Sequence, residues 1–398
     1  MVPVRERALL IRVAFTLIGG KNWTGGHNYL LNLLQALTKH EGRTIKPVLF
    51  VADDDAGAAA FAAIPGVELF RSAALNSERR NAQLLQALLW GRVPALSRLF
   101  AEHRIDVVFE AAQFFGWRLE MPAVAWIPDF QHKLLPHLFP KSAWWKREIG
   151  FRAQIMGDRF IMLSSDDAKR ACEHFYPATC GRTATVHFAV PPGHIVDYAE
   201  ARAVADSYGL PANFVFMPNQ FWRHKNHPVV LKALSILRAR GREVVVAASG
   251  KQHDPRAPGY FPSFAKELGD QGLSSSLKLL GLIPYAHLGA LMRTCQAMLN
   301  PSLFEGWSTT VEEARAMGTP MLLSDLDVHR EQMGVGARYF RRDSAEDLAD
   351  QLMATPVFNA AERDAALATA RDKAALRVRK FAADFSDLAR RVDGTGAA

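Results

Sequence analysis

Short runs rich in Val, Ile, Leu and Phe alternate along the chain with longer stretches whose apolar residues recur at helical spacing. That alternation predicts β-α-β units around parallel sheets, whose strands are covered on both faces and so read as near-continuous apolar runs. In the first half the strand runs are residues 9–15, 47–52, 67–70, 105–109, 123–127, 160–163 and 185–188. The second half offers 214–217, 244–248, 277–280, 297–300 and 320–323. Two separated sets predict two doubly wound α/β sheets. The breakers Val190-Pro-Pro-Gly-His194, with a polar helical stretch running to Leu210 and Pro211, mark the boundary between them. The expected organisation is a first domain over 1–190, a second over 191–373, and a helix within 374–398 packing back across both. Sheets of this kind take ligands at the carboxyl ends of their strands, so strand-end loops are where chemistry is expected.

The chain has 398 residues, 49% hydrophobic and 22% charged, which suits two globular domains better than one and excludes disordered, collagen-like and coiled-coil chains. Three cysteines (Cys172, Cys180, Cys295) without a C-x-x-C pair argue against a disulfide framework and a thiolate metal site, and point to a reducing compartment. The run from Ala8 to Gly20 carries Arg12 and is too short to span a bilayer. Arg5 and Arg7 imitate the start of a signal peptide, but Arg12 breaks the apolar region. Residues 1–200 hold 23 Lys/Arg against 19 Asp/Glu and residues 201–398 hold 25 against 21, so the net +8 is spread evenly and forms no basic stripe for nucleic acid. The expected location is the cytoplasm.

The densest chemistry lies between Pro301 and Pro320. A strand ending near Asn300 leads to a loop with Glu305 and Gly306, and a helix is expected to start at Ser308 or Thr309. Free N–H groups at such a start form an anion site suited to a diphosphate. Glu305 in the loop and Glu313 on the second turn would face one ligand at two depths. A plainer reading makes Thr309 with Glu312, or Thr310 with Glu313, a capping box.

The Glu305-x7-Glu313 spacing, with Gly306 after the first glutamate and Ala316-Met-Gly-Thr-Pro320 after the second, resembles the retaining nucleotide-sugar glycosyltransferases of the GT-B fold, family 4 (glycosyl transferases group 1). Pro218 to His227, opening the second domain, and Ala14 to Leu37, with a Gly-rich turn opening the first, extend the resemblance over most of the chain. It implies two Rossmann-like doubly wound domains facing across a cleft. Glu305 would contact the donor sugar, with the N–H groups of Gly306 and Trp307 at its hydroxyls. Glu313 would take the ribose hydroxyls, Ser308 and Thr309 the phosphates, and Lys225 the diphosphate, where an ammonium stabilises the charge that grows as the glycosidic bond breaks. Gly250 and Ile283, after second-domain strands, would contact the nucleotide. The family usually has an arginine about five residues before the lysine; here Asn219 and Gln220 stand there, and Arg223 is the candidate replacement.

In the first domain Gly25 and Gly26 belong to the Gly-rich turn that would line the site. Ile127-Pro-Asp-Phe-Gln-His132 matches a family loop that often reads His-Asp, with Pro128 in place of the histidine. Asp129 and His132 become candidates for the sugar or the acceptor hydroxyl. Asp53-Asp-Asp55 and Asp325-x-Asp327 match a metal-binding D-x-D, but both follow strands where such residues are common in turns, and no metal or cofactor is expected. Trp144, Trp145, Lys146 and Arg147 mix aromatic and basic residues on one helix, as a peripheral membrane contact on the inner face would require; packing in the core explains them equally.

The expected activity is transfer of a sugar from a nucleotide-diphosphate sugar to a saccharide or lipid-linked acceptor in bacterial polysaccharide or lipopolysaccharide assembly. Two alternatives stay open on sequence: a nucleotide-sugar epimerase of the same architecture, and a non-catalytic carbohydrate-binding scaffold.

Overall fold

The computed structural model describes residues 10–17, 24–53, 55–111, 113–191, 193 and 196–395. Its contacts divide the chain into two compact units. The first comprises Met1–Phe130, Lys141–Ala189 and Arg377–Ala398, and the second Gln131–Pro140 and Val190–Leu376.

The first unit holds a seven-stranded sheet of β1 (Ile11–Thr16), β2 (Ile45–Val51), β3 (Glu68–Arg71), β4 (Val107–Ala111), β5 (Ala123–Trp126), β6 (Phe160–Leu163) and β7 (Thr183–Thr185), in the order β3-β2-β1-β4-β5-β6-β7. Every pairing is parallel. Burial on both faces explains the apolar runs: Phe15, Phe50 and Phe109 are all but inaccessible. Helix Thr24–His40 follows β1, so both Gly25 and Gly26 lie in its first turn. Residues 18–23 of the Gly-rich segment, like Arg5, Arg7 and Asp54, lie outside the described residues.

The second unit holds a six-stranded parallel sheet of β8 (Phe214–Pro218), β9 (Val245–Ser249), β10 (Leu277–Gly281), β11 (Ala297–Asn300), β12 (Met321–Ser324) and β13 (Arg338–Phe340), ordered β10-β9-β8-β11-β12-β13. The order reverses between β8 and β11. A reversal of this kind splays the connections to opposite faces and leaves a crevice at the carboxyl ends of the two strands.

Three differences from the sequence expectation have local causes. Residues 186–188 lie beyond β7: Phe188 is buried because it packs on Tyr29 and Phe381, at centroid distances of 5.2 and 5.7 Å, and not because it joins the ladder. β13 escaped notice because it is three residues long and only Phe340 is fully buried. The last helix begins at Ala360, well before 374, and runs to Asp393. Its start is fixed in the second unit, where Arg363 donates to the carbonyls of Cys295 and Gln296 and Asp364 pairs with Arg293. Its end is fixed in the first, where Phe385 lies 5.8 Å from Phe15 and 5.5 Å from Phe109. Gly318 is required by this packing. It has φ +67°, and a Cβ there would sit 2.6 Å from the carbonyl oxygen of Ala366.

Candidate functional site

The chain leaves β8 through Asn219 and makes one tight turn, Arg223–Lys225, before helix His227–Ala239. Asn226 joins them in the left-handed conformation (φ 56°), which asparagine tolerates better than most residues, and its side-chain amide donates to the carbonyl of Arg342 at 2.9 Å. Pro228 then supplies the fixed φ of a helix start. This hook directs Lys225 toward the loop after β11, and the N–H of Leu303 donates to the carbonyl of His224 at 2.8 Å, so the two loops are bonded together.

Glu305 is the meeting point. Its Oε1 accepts from Lys225 Nζ at 2.6 Å, from Ser302 Oγ at 2.7 Å and from Asn300 Nδ2 at 3.3 Å. The side chains of Lys225 and Glu305 are only 14% and 9% exposed. Burial works against the carboxylate, but the ammonium of Lys225, with His329 and His224 beyond it, outweighs burial and holds Glu305 down at about 2. Asn300 is fully used: its oxygen accepts from Ser302 and its amide also reaches Ser308 Oγ at 3.0 Å. Ser302 is held through its carbonyl by Ser324 Oγ at 2.7 Å. The loop is therefore cross-braced before any ligand arrives, which is what preorganised charge requires.

Helix Thr309–Ala316 starts beside this cluster. No side chain caps it, so neither capping box forms. Ser308 turns its hydroxyl sideways to Asn300 and Thr310, and its backbone is clamped by Gln332, which accepts from Ser308 N at 3.2 Å and donates to Ser308 O at 3.1 Å. Glu312 is buried against Arg315 and Gln332 and serves the fold. Glu313 faces the other way, half-buried, and accepts from the hydroxyl of Tyr285 at 3.1 Å. Burial lifts its carboxyl to about 7 against the opposing effect of that hydrogen bond.

The remaining second-unit candidates occupy strand-end turns. Gly250 (φ +146°) ends β9 with its N–H on the carbonyl of Gly281 at 2.8 Å, and a Cβ there would meet Asn219 O at 2.4 Å. Ile283 is half-buried after β10, and Gly306 and Trp307 lie half-buried between Glu305 and the helix. Arg223 is exposed, and its backbone N–H donates to Asp254 at 3.3 Å. Arg256, which sequence reasoning missed, is the more enclosed cation. It lies between the rings of Trp222 and Phe139, donates to Gln131 at 3.0 Å and contacts Asp254 and His224. His227 is buried and stacked on Phe221 at 4.2 Å; burial, with Lys225 adding to it, depresses its imidazole to about 3, so it is a neutral brace.

His132 is buried and meets Phe139 edge-on, with ring centroids 6.5 Å apart. In the first unit, Asp129 forms an ion pair with Arg147 at 2.5 Å, while Gly25 is exposed and Gly26 buried. On helix Lys141–Ile155, Arg147 is thus turned inward, whereas Trp145, Lys146 and Ile149 are exposed. Of the D-x-D candidates, Asp55 caps the turn at Gly57 and Asp325 pairs with Arg342 at 3.0 Å, both ordinary turn roles.

Asn300, Ser302, Gln332 and Tyr285 were not foreseen. Asn300 and Ser302 carried a signal, a polar pair at a strand end just before Glu305. Gln332 carried none, since it arrives from a helix 24 residues further on.

Residues 212–355 match the family model described as glycosyl transferases group 1. EpsF of Bacillus subtilis (strain 168) is 32% identical over 119 residues, which is 29% of this chain and 28% of EpsF, so the matched part spans little more than a quarter of that relative. Among solved structures, a glycosyltransferase from Rickettsia africae superposes with a TM-score of 0.70 at 12% identity, covering 96% of this chain and 98% of the other. Anabaena HepE in complex with UDP and glucose superposes with a TM-score of 0.67 at 14% identity, covering 95% and 98%. At such identities the likeness shows the fold. The chain has the GT-B fold, two Rossmann-like α/β domains, and within the second of them residues 212–355 are similar to the glycosyl transferases group 1 family.

Proposed function

We propose that the protein is a retaining, metal-independent glycosyltransferase that moves a sugar from a nucleotide-diphosphate sugar to a saccharide or lipid-linked acceptor. The observation that carries this reading is the buried Lys225–Glu305 pair at the β8/β11 reversal, beside an uncapped helix start. The diphosphate would lie against Lys225 and the helix start at Thr309, beside Ser308, whose own N–H is held by Gln332; there a cation and the helix's positive end both favour it. Glu305, kept ionised and braced by Ser302 and Asn300, would accept from the donor sugar's hydroxyls, with the N–H groups of Gly306 and Trp307 beside it. Glu313 would take the ribose, and Gly250 and Ile283 the remainder of the nucleoside.

As the glycosidic bond lengthens, negative charge gathers on the departing diphosphate, and the Lys225 ammonium stabilises it without rearranging. The acceptor oxygen attacks from the face the diphosphate leaves, and a phosphate oxygen takes its proton, so configuration is retained and no covalent nucleophile is needed. Asp129 and His132 are proposed for the acceptor side. The UDP and glucose bound by the HepE structure have the chemistry this site would take: a diphosphate, a ribose and a hexose. Exposed Trp145 and Lys146 suit a peripheral contact with the cytoplasmic face of a membrane in polysaccharide or lipopolysaccharide assembly.

The test is turnover of a panel of nucleotide sugars. Lys225→Ala and Glu305→Ala are each expected to lower kcat by about a hundredfold or more, as loss of a transition-state charge contact does. Near wild-type turnover in either variant would remove that residue from the mechanism, and interconversion of the donor without an acceptor would make the protein an epimerase.

A further inference from the structure

Strands of a parallel sheet end on one rim, so the turns after β8, β9, β10 and β11 share it. The bond from Gly250 N–H to Gly281 O ties the β9 and β10 turns together. Beyond Gly281 the chain presents two large apolar residues to solvent: Leu282 is 73% exposed and Tyr285 is 67% exposed. Tyr285 opens helix Tyr285–Thr294, and its hydroxyl is anchored on Oε1 of Glu313. An aromatic ring left mostly in water while its hydroxyl is fixed to a half-buried carboxylate is a poor use of tyrosine in a free-standing fold. It is a good arrangement for a residue that meets a ligand with one flat face and a hydroxyl-bearing ring beside it.

We propose that Tyr285 is the nucleoside-facing residue of the donor site: its hydroxyl keeps the place of a ribose hydroxyl on Glu313, and its ring stacks on the base once the nucleotide displaces that hydroxyl. The exchange conserves hydrogen bonds, because Glu313 accepts from a neutral O–H before and after and the freed phenol turns to water. The inference rests on the reading that Glu313 takes the ribose. Leu282, exposed on the same turn, extends the apolar surface available to the base.

The hydroxyl and the ring then have opposite effects on affinity, which separates this role from simple bracing of Glu313. Calorimetry with UDP, GDP and dTDP identifies the preferred nucleoside diphosphate. Tyr285→Ala should weaken it by about 5- to 150-fold, the range that base–aromatic stacking contributes. Tyr285→Phe keeps the ring and removes the competing hydroxyl, so it should bind as tightly as wild type or several-fold tighter. Ribose 5-diphosphate, which has no base and feels only the loss of the competing hydroxyl, should bind Tyr285→Ala as tightly as wild type or several-fold tighter. Equal weakening by Phe and Ala, or no weakening by Ala of a nucleotide that wild type binds, would overturn the inference and leave the donor site standing. Failure of wild type to bind any nucleoside diphosphate would overturn the donor reading, and this inference with it.

Discussion

Replacing Lys225 with alanine removes the ammonium that neutralises Glu305 in a site where the glutamate side chain is 9% exposed. In the folded protein the Glu305 carboxyl is held at about 2 against an ordinary 4.5, and Lys225 is the largest favourable cause. At roughly 1.4 kcal/mol per pH unit, that preference for the charged form is worth about 3 kcal/mol, the scale expected when one partner of a buried pair is deleted. A carboxyl depressed on folding contributes stability that is fully present above its unfolded value of 4.5 and is lost as pH falls toward 2. The assay is urea denaturation of wild type, Lys225→Ala, Glu305→Gln and the double variant between pH 7 and pH 3. Unfolding of two units need not be two-state, so midpoints are compared. Lys225→Ala should fall well below wild type at pH 7, the gap should narrow below pH 4.5, and Glu305→Gln should recover most of the loss in the double variant. A gap that is independent of pH, or losses that simply add in the double variant, would show that the two side chains do not act as a buried charge pair.

Other consequences follow from single contacts. Glu313 is lifted to about 7, so its charged form gains ground as pH rises through neutrality; nucleotide affinity should increase from pH 6 to 8 by a step that Glu313→Gln abolishes, checked by calorimetry against wild type so that titration of the phosphates cancels. Gly250→Ala places a methyl 2.4 Å from Asn219 O at φ +146°, and should lower the melting temperature by at least about 2 °C, a loss of roughly 1 kcal/mol or more in a domain of this size. EDTA should leave transfer activity intact; a loss restored by Mn²⁺ would instead bring Asp53 and Asp55 into the mechanism.

Most strands were legible because a strand covered on both faces has nowhere to place polar residues, as at Phe160–Leu163 and Ala297–Asn300, where sequence and structure agree at both ends. Where burial and ladder pairing part company, as at Phe188, an apolar run misleads. The helix start at Thr309 could be read from small hydroxyl residues after a loop, yet its capping could not, since Ser308 is drawn aside by Asn300. Glu305 and Lys225 could each be singled out by motif. Their contact across 80 positions could not, because it depends on the left-handed hook at Asn226 and on the β8/β11 reversal, which no local pattern encodes. Gly318 shows the limit of motif reading from the other side, since its requirement comes from the close passage of Ala366 and not from a ligand.

The most direct measurement is a crystal structure of the protein with an intact nucleotide sugar. Phosphate oxygens bonded to Lys225 Nζ and to the N–H groups at the start of helix Thr309–Ala316, with the hexose hydroxyls on Glu305, are the predicted result. A ligand whose phosphates are seated elsewhere, with the Lys225–Glu305 contact undisturbed, would contradict the account.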